Sequence, residues 1–129
     1  MNRLHLACLG IVSTLCAAPC VADHSAAMFD SQKSVTLQGT VKAFQWTNPH
    51  CWIQLLVPEQ NGTVEWSIEM GSPTNIFRSG WRPNTLHAGD KVTIVIHPVR
   101  DESRGGAFAS GVAADGSPLG ANSKAEVAR

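Results

Sequence analysis

From residue 34 onward, polar and apolar residues alternate with a period of two. Val35, Leu37, Gly39, Val41 and Ala43 fall on one face, and Thr36, Gln38, Thr40 and Lys42 on the other. This pattern predicts a half-buried strand over 35–43. Gly39 interrupts the apolar face, and an isolated glycine inside a strand marks a bulge or a tight barrel bend. The alternation then breaks, because Phe44 and Trp46 continue the phase of Lys42. Either a bulge turns these two rings inward or they form an exposed aromatic edge. Thr47-Asn48-Pro49-His50 reads as a turn with its backbone fixed by proline.

A second strand is predicted over 51–57, a loop over 58–62 and a third strand over 63–70. Residues directly opposite in an antiparallel pair point to the same face. For the apolar sets to meet, Val57 must face Val64, Leu55 must face Trp66, Ile53 must face Ile68, and Cys51 must face Met70. The other face then sets Trp52 beside Glu69, Gln54 beside Ser67 and Leu56 beside Glu65, with His50 at its end near Gly71. Trp66 belongs to the core.

Ser72-Pro73 is a helix start, with serine as the cap and proline at the first helical position. Gly80 stops a helix of about two turns. Residues 81–87 are irregular. A fourth strand follows over 91–97, with Val92, Ile94 and Ile96 inward. A polar loop over 101–106 leads to a weaker fifth strand over 107–113. In a chain of this size the order strand, strand, strand, helix, strand, strand fits a mainly β fold. The expected architecture is a small five-stranded OB-like Greek-key barrel with one short helix between strands 3 and 4. A five-stranded meander or an open sandwich is the alternative.

The first 22 residues have a different character. Arg3 is followed by an uncharged stretch from Leu6 to Ala18, then by Pro19 and the small residues Cys20-Val21-Ala22. This is the three-part pattern of a secretory signal peptide, with cleavage expected after Ala22. Cleavage after Ala18 would put Pro19 just past the cut. A lipidated cysteine needs a small residue before it, which neither Leu15 nor Pro19 provides. The expected organisation is a signal peptide over 1–22, an arm over 23–33, a barrel domain over 34–119 and a flexible tail over 120–129. Cleavage removes three of the four cysteines and leaves Cys51, so the mature chain can form no internal disulfide.

Charge narrows the range of partners. Ten Lys+Arg balance ten Asp+Glu over 129 residues. That neutrality argues against a nucleic-acid binder, which needs a basic face. No apolar run reaches the ~18 residues of a membrane span, so none is expected in the mature chain.

Several strings together carry a resemblance: Met28-Phe29-Asp30; the run from Val35 through Phe44-Gln45-Trp46-Thr47-Asn48-Pro49-His50; Glu65-Trp66-Ser67-Ile68-Glu69; Gly80-Trp81; Gly89-Asp90-Lys91-Val92; and His97-Pro98-Val99-Arg100-Asp101. The chain resembles the small exported bacterial proteins grouped as domain-of-unknown-function family 6152, over nearly all of its mature length. The resemblance implies export from a Gram-negative cell and carries no activity with it. Where such proteins often open the arm with two adjacent histidines, this chain has Asp23-His24. That departure counts against a metal role for the arm.

Three kinds of function remain to be weighed. An enzyme needs a nucleophile, base and orienting acid within reach of one another. Cys51 lies on the apolar face, where a thiol is buried and inert. Glu65 and Glu69 share a strand face at roughly 13 Å, too far apart for paired glycosidase carboxylates. No enzyme is expected. A metal site is the second possibility. After cleavage His24 would be the second residue, beside a free amino group, and with Met28 and His50 it offers donors that suit copper, or zinc. The third is a binding module. Trp52 and Leu56 on an otherwise polar sheet face are unexpected for a solvated surface. The candidate ligand residues are Trp46, His50, Trp52, Gln54 and Glu69. The partner would be a small molecule or an envelope protein, and a structural accessory role in an envelope complex is a further alternative. The competing arrangement has the arm folding over this face, with Phe29 on Trp52.

Overall fold

A computed structural model describes residues 26–120 of the chain. The expected signal peptide, His24 and residues 121–129 of the expected tail lie outside the described residues. Five strands form a closed barrel: β1 (Val35–Gln45), β2 (Trp52–Glu59), β3 (Gly62–Glu69), β4 (Lys91–Pro98) and β5 (Gly105–Ala113), in the cyclic order β1-β2-β3-β5-β4. One helix, α1 (Pro73–Arg78), sits between β3 and β4. This is the OB-like arrangement expected from the order of elements.

Hydrophobic burial follows the alternation. Ile53, Leu55, Ile68, Ile94 and Ile96 are fully buried, joined by Leu37, Val41, Val57 and Val92. Each such side chain is worth about 1.5–3 kcal/mol in transfer out of water. The β2–β3 register has Val57 opposite Val64, Leu55 opposite Trp66, Ile53 opposite Ile68 and Trp52 opposite Glu69. Just beyond it the Met70 N–H donates to the Cys51 carbonyl at 2.9 Å. Trp66 packs against the core from its rim and is only partly buried.

Two irregularities shape β1. A Cβ on Gly39 would overlap the Leu56 carbonyl oxygen and lie 2.9 Å from Leu55 Cγ, so this position is a close approach between backbones. The bulge itself comes later. Val41 pairs with Leu55 but Ala43 pairs with Gln54, leaving Lys42 as the extra residue. The phase shift turns Phe44 and Trp46 toward the core, where Phe44 meets Trp46 at 6.0 Å and Trp81 at 5.7 Å. Trp81 also meets Phe108 edge-on at 5.2 Å. It is buried, although it lies in the stretch read as irregular.

Helix α1 closes this aromatic end. Ser72 Oγ accepts from the Asn75 N–H at 3.4 Å, Pro73 occupies the first turn, and Gly80 adopts φ 87° just past the Ser79 cap. Only Ile76 of the helix is buried.

Strand ends shift by one or two residues from the expected bounds throughout, and three of the differences have a clear physical cause. The loop over 58–62 shrinks to Gln60-Asn61, because Glu59 pairs with Gly62 and makes a two-residue hairpin turn. Strand β5 begins at Gly105, not 107, because Gly105, Gly106 and Ala107 pair in parallel with Ser67, Ile68 and Glu69 to close the barrel. Gly120, read as the start of the tail, packs so closely on the Trp81 ring that a Cβ there would clash with it.

Gly39→Ala should destabilise the protein by about 1–3 kcal/mol through overpacking, while Thr36→Ala on the exposed face changes stability by about 0.5 kcal/mol or less. Ile68→Ala should cost about 2–5 kcal/mol. Glu65, whose ion pair with Lys42 is exposed, should cost less than about 1 kcal/mol on truncation to alanine. Urea unfolding of the four variants tests the register, since similar costs at 65 and 68 would contradict it.

Candidate functional site

Strand periodicity decides which of the candidate residues can meet. Trp52, Gln54 and Leu56 point outward from β2, and Glu65, Ser67 and Glu69 point outward beside them from β3. Gln45 of β1 pairs with Trp52 and joins the same face. Ser67 Oγ donates to Gln54 Oε1 at 2.6 Å, and Gln54 Nε2 donates to Gln45 Oε1 at 2.9 Å. Gln54 is therefore the middle rung of a polar ladder across three strands, and its amide already serves the sheet.

His50 precedes β2 at the end of the turn that holds the cis Asn48–Pro49 bond. Its carbonyl accepts from Thr47 Oγ1 at 2.8 Å, which fixes the turn. Its Nδ1 lies 2.7 Å from Glu69 Oε1, with the glutamate side chain 12% exposed and the imidazole 35%. His50, Trp52, Gln54 and Glu69 thus share one face. Trp46 does not. Being one residue out of phase with Gln45, it turns to the other side of β1 and lines a separate groove of about 300 Å³ with Pro73, Phe77 and Arg78. Trp46 is removed from the candidate site for that reason.

The arm supplies the missing wall. After a 3-10 turn over Ala26–Met28, Phe29 bridges to Val99, the Asp30 N–H donates to the Pro98 carbonyl at 2.8 Å, and the Arg100 N–H donates to the Met28 carbonyl at 2.9 Å. These bonds fasten the arm beside the end of β4. Met28 and Phe29 then line one groove of about 290 Å³ with Trp52, Glu69, Val99 and Gly105. The expected encounter of Phe29 with the Trp52 face thus takes the form of two walls of one groove. Larger depressions of about 480 and 610 Å³ at the β1 bend and at the β2–β3 hairpin contain no aromatic side chain.

Arg104 reaches this groove from the loop before β5. Its guanidinium holds the Glu59 carboxylate at 3.1 and 3.4 Å. That contact keeps Glu59 below the usual carboxylate range and raises Arg104. The Trp66 indole N–H is buried without a well-formed hydrogen bond; the same Glu59 carboxylate is the acceptor that feels it.

Of the metal candidates, His50 is engaged with Glu69, and His24 lies outside the described residues. Among the described residues no group of three or more His, Cys, Asp and Glu side chains could share an ion. His87 faces Asp90 at 3.8 Å, and His97 Nδ1 contacts the Lys33 carbonyl at 2.8 Å, each far along the chain from His50.

A model of a family of unknown function, DUF6152, matches residues 11–109. The chain belongs to that family. No curated protein and no solved structure matches it. The DUF6152 match takes in both walls of the groove and the β5 glycines at its edge. No helix among the described residues of this DUF6152 chain is long and apolar enough to cross a membrane.

Sequence periodicity found Trp52, His50 and Glu69. It missed Val99, which bridges to Phe29 of the arm, and Arg104 and Gly105, which reach the groove where β5 begins its parallel pairing with β3. The Gly105-Gly106 pair was the one available signal.

Cys51 is fully buried, and burial pushes its thiol above the ordinary range. In a chain beginning at Asp23, native Cys51 should react with a thiol reagent at least about a hundredfold more slowly than in urea, since the buried thiol is both inaccessible and protonated. Equal labelling rates in native and unfolded protein would contradict its placement.

Proposed function

We propose that this DUF6152 protein is an exported, non-catalytic β-barrel module that binds a small ligand in the groove between the arm and the outer face of β2 and β3. One observation carries the reading. Two aromatic side chains, Phe29 and Trp52, far apart in sequence, line a single concave space together with Glu69, whose carboxylate meets His50 Nδ1 at 2.7 Å. An apolar wall with a few placed polar groups is the usual composition of a ligand site. The arm is held there by main-chain bonds to Pro98 and from Arg100, so the groove is preformed and does not depend on a mobile side chain.

The charged, then apolar, then small pattern of residues 1–22 supports export to the periplasm. The burial of Cys51, the one thiol among the described residues, supports a non-catalytic role. A barrel with closed hydrogen bonding also suits a rigid support for recognition, since binding then costs little ordering of the scaffold.

Protein purified from its own periplasm should begin at Asp23, and an N-terminus at Met1 would defeat the export reading. Native mass spectrometry of that material should show a bound small molecule. Trp52→Ala should weaken its retention about tenfold or more, as loss of an aromatic anchor does. Gly105→Ala is a second probe. A Cβ there meets Ser67 O at 3.5 Å and Val99 Cγ1 at 3.6 Å, ordinary contact distances, so the fold should tolerate it while the groove narrows. Full retention of the ligand by both variants would remove the groove from consideration.

A further inference from the structure

The tryptophan that the bulge turns away from the outer face of β2 and β3 belongs to a second surface. We infer that the groove where the end of β1 meets helix α1, lined by Trp46, Pro73, Thr74, Phe77 and Arg78, docks an acidic peptide segment of a partner protein. An apolar side chain of the segment lies between Trp46 and Phe77, and its carboxylates meet Arg78 and Arg82. This surface shares no residue with the groove at Trp52.

Three observations support it. First, an aromatic ring stands in solvent. Phe77 is 51% exposed, and the other exposed large hydrophobic among the described residues, Met28, belongs to the other groove. Helix α1 buries only Ile76. An uncovered ring beside the half-buried Trp46 is an apolar patch of the kind that marks an interaction site. Trp46 is braced edge-on against Phe44 at 6.0 Å. Second, the charge at this end is of one sign. Residues 70–89 contain Arg78, Arg82 and His87 and no Asp or Glu. Arg100 and Arg104 face Asp30 and Glu59, whereas Arg78 and Arg82 form no ion pair among the described residues. Third, Arg82 is already set in place. Its Nη1 donates to the Phe77 and Trp81 carbonyls at 3.0 and 2.7 Å. Its Cζ stands 3.8 Å from the centre of the Phe77 ring, and its backbone N–H donates to Thr85 Oγ1 at 2.7 Å. The Nε–H and the Nη2 amino group are left without an acceptor among the described residues. These two groups form the edge of a guanidinium that grips a carboxylate with two parallel bonds. A cation fixed before binding loses little freedom when the partner arrives.

Charge complementarity selects the partner. An acidic segment compensates both arginines and covers the exposed ring at the same time. A nucleic acid needs a far more basic face than two arginines in a chain with ten Lys+Arg and ten Asp+Glu. A bilayer surface is held by a long amphipathic face with several large apolar side chains, and α1 has six residues and one exposed ring. The groove of about 300 Å³ is concave space for a side chain, which a segment of polypeptide supplies.

The test selects random displayed peptides on the chain beginning at Asp23 and measures the selected peptides by fluorescence anisotropy. Selection should enrich Asp or Glu close in sequence to a large apolar residue. Phe77→Ala should weaken a selected peptide about fivefold or more, as loss of a contact aromatic does. Arg78→Gln should weaken it about threefold at low salt and much less at high salt, where exposed charges are screened. Arg82→Gln should weaken it about tenfold or more, the scale of lost charge-assisted hydrogen bonds. If Arg82→Gln fails to fold, the variants at the exposed residues 77 and 78 decide. No enrichment of acidic residues, or undiminished affinity in folded Phe77→Ala and Arg78→Gln, overturns the assignment. Phe77-dependent sedimentation with phosphatidylglycerol vesicles in place of peptide binding overturns it as well, as does a Phe77-dependent dimer of the chain. Peptide binding that appears only once residues 121–129 are removed would name the chain's own tail as the occupant and also overturn it.

Discussion

The barrel closes because β1 changes partners at Thr40. Residues 35–40 pair with β4, and residues 40–45 pair with β2, so Thr40 stands opposite both Lys91 and Leu56. One strand can serve two neighbours only if it bends sharply at the exchange. Gly39 makes the bend possible by having no Cβ where the Leu56 carbonyl approaches. The turn before β4 completes the exchange. The Val41 N–H donates to the Asp90 carbonyl, and the Val41 carbonyl accepts from the Gly89 N–H, both at 2.8 Å. Backbone groups that would be orphaned where β4 begins are thereby satisfied.

The bulge at Lys42 follows from the same bend and decides what each end of the barrel carries. One extra residue reverses the phase, so Phe44 and Trp46 turn in while Gln45 turns out. The inward rings join Trp81 and Phe108 into an aromatic plug beneath α1. The outward Gln45 extends the ladder through Gln54 to Ser67. The extra Lys42 projects across β2 to Glu65. A single insertion in β1 therefore separates the two tryptophans that flank His50 in sequence, sending Trp46 to the cap and leaving Trp52 on the outer face of β2 and β3.

Local pattern made much of this legible. Alternation placed the five strands and fixed the β2–β3 register, because one face must be apolar and a one-residue slip would invert it. The Ser72-Pro73 start and Gly80 stop placed the helix. What escaped is whatever depends on contacts distant in the chain. Pro58 and Glu59 looked like loop residues, yet they extend β2 at a sheet end where a missing proline N–H is tolerated. Gly105 and Gly106 looked like loop filler, yet their parallel pairing with β3 closes the barrel. Trp81 carries no periodic signal of its own, and its burial is decided by Phe44 and Phe108 from other elements. Half of the candidate site was visible for the same reason. His50, Trp52 and Glu69 sit at one hairpin and Phe29 on the arm expected to fold over it, while Val99 and Arg104 arrive from elsewhere.

The two glycines of β5 show how scaffold and site divide their demands. Gly106 belongs to the barrel: a Cβ there would lie 2.6 Å from Ile96 Cδ1 and 2.7 Å from the His97 carbonyl, so no side chain fits beside β4. Gly105, one residue earlier and pointing the other way, is under no such pressure, since its nearest neighbours stand at 3.5 Å or more. Packing accounts for the first glycine and not for the second. What lies on the side of Gly105 is the groove between Val99, Trp52 and the arm. An absent side chain at that point keeps the space open, next to a carboxylate held in place by His50. The steric needs of the closed barrel account for Gly106, whereas Gly105 answers only to the groove it lines.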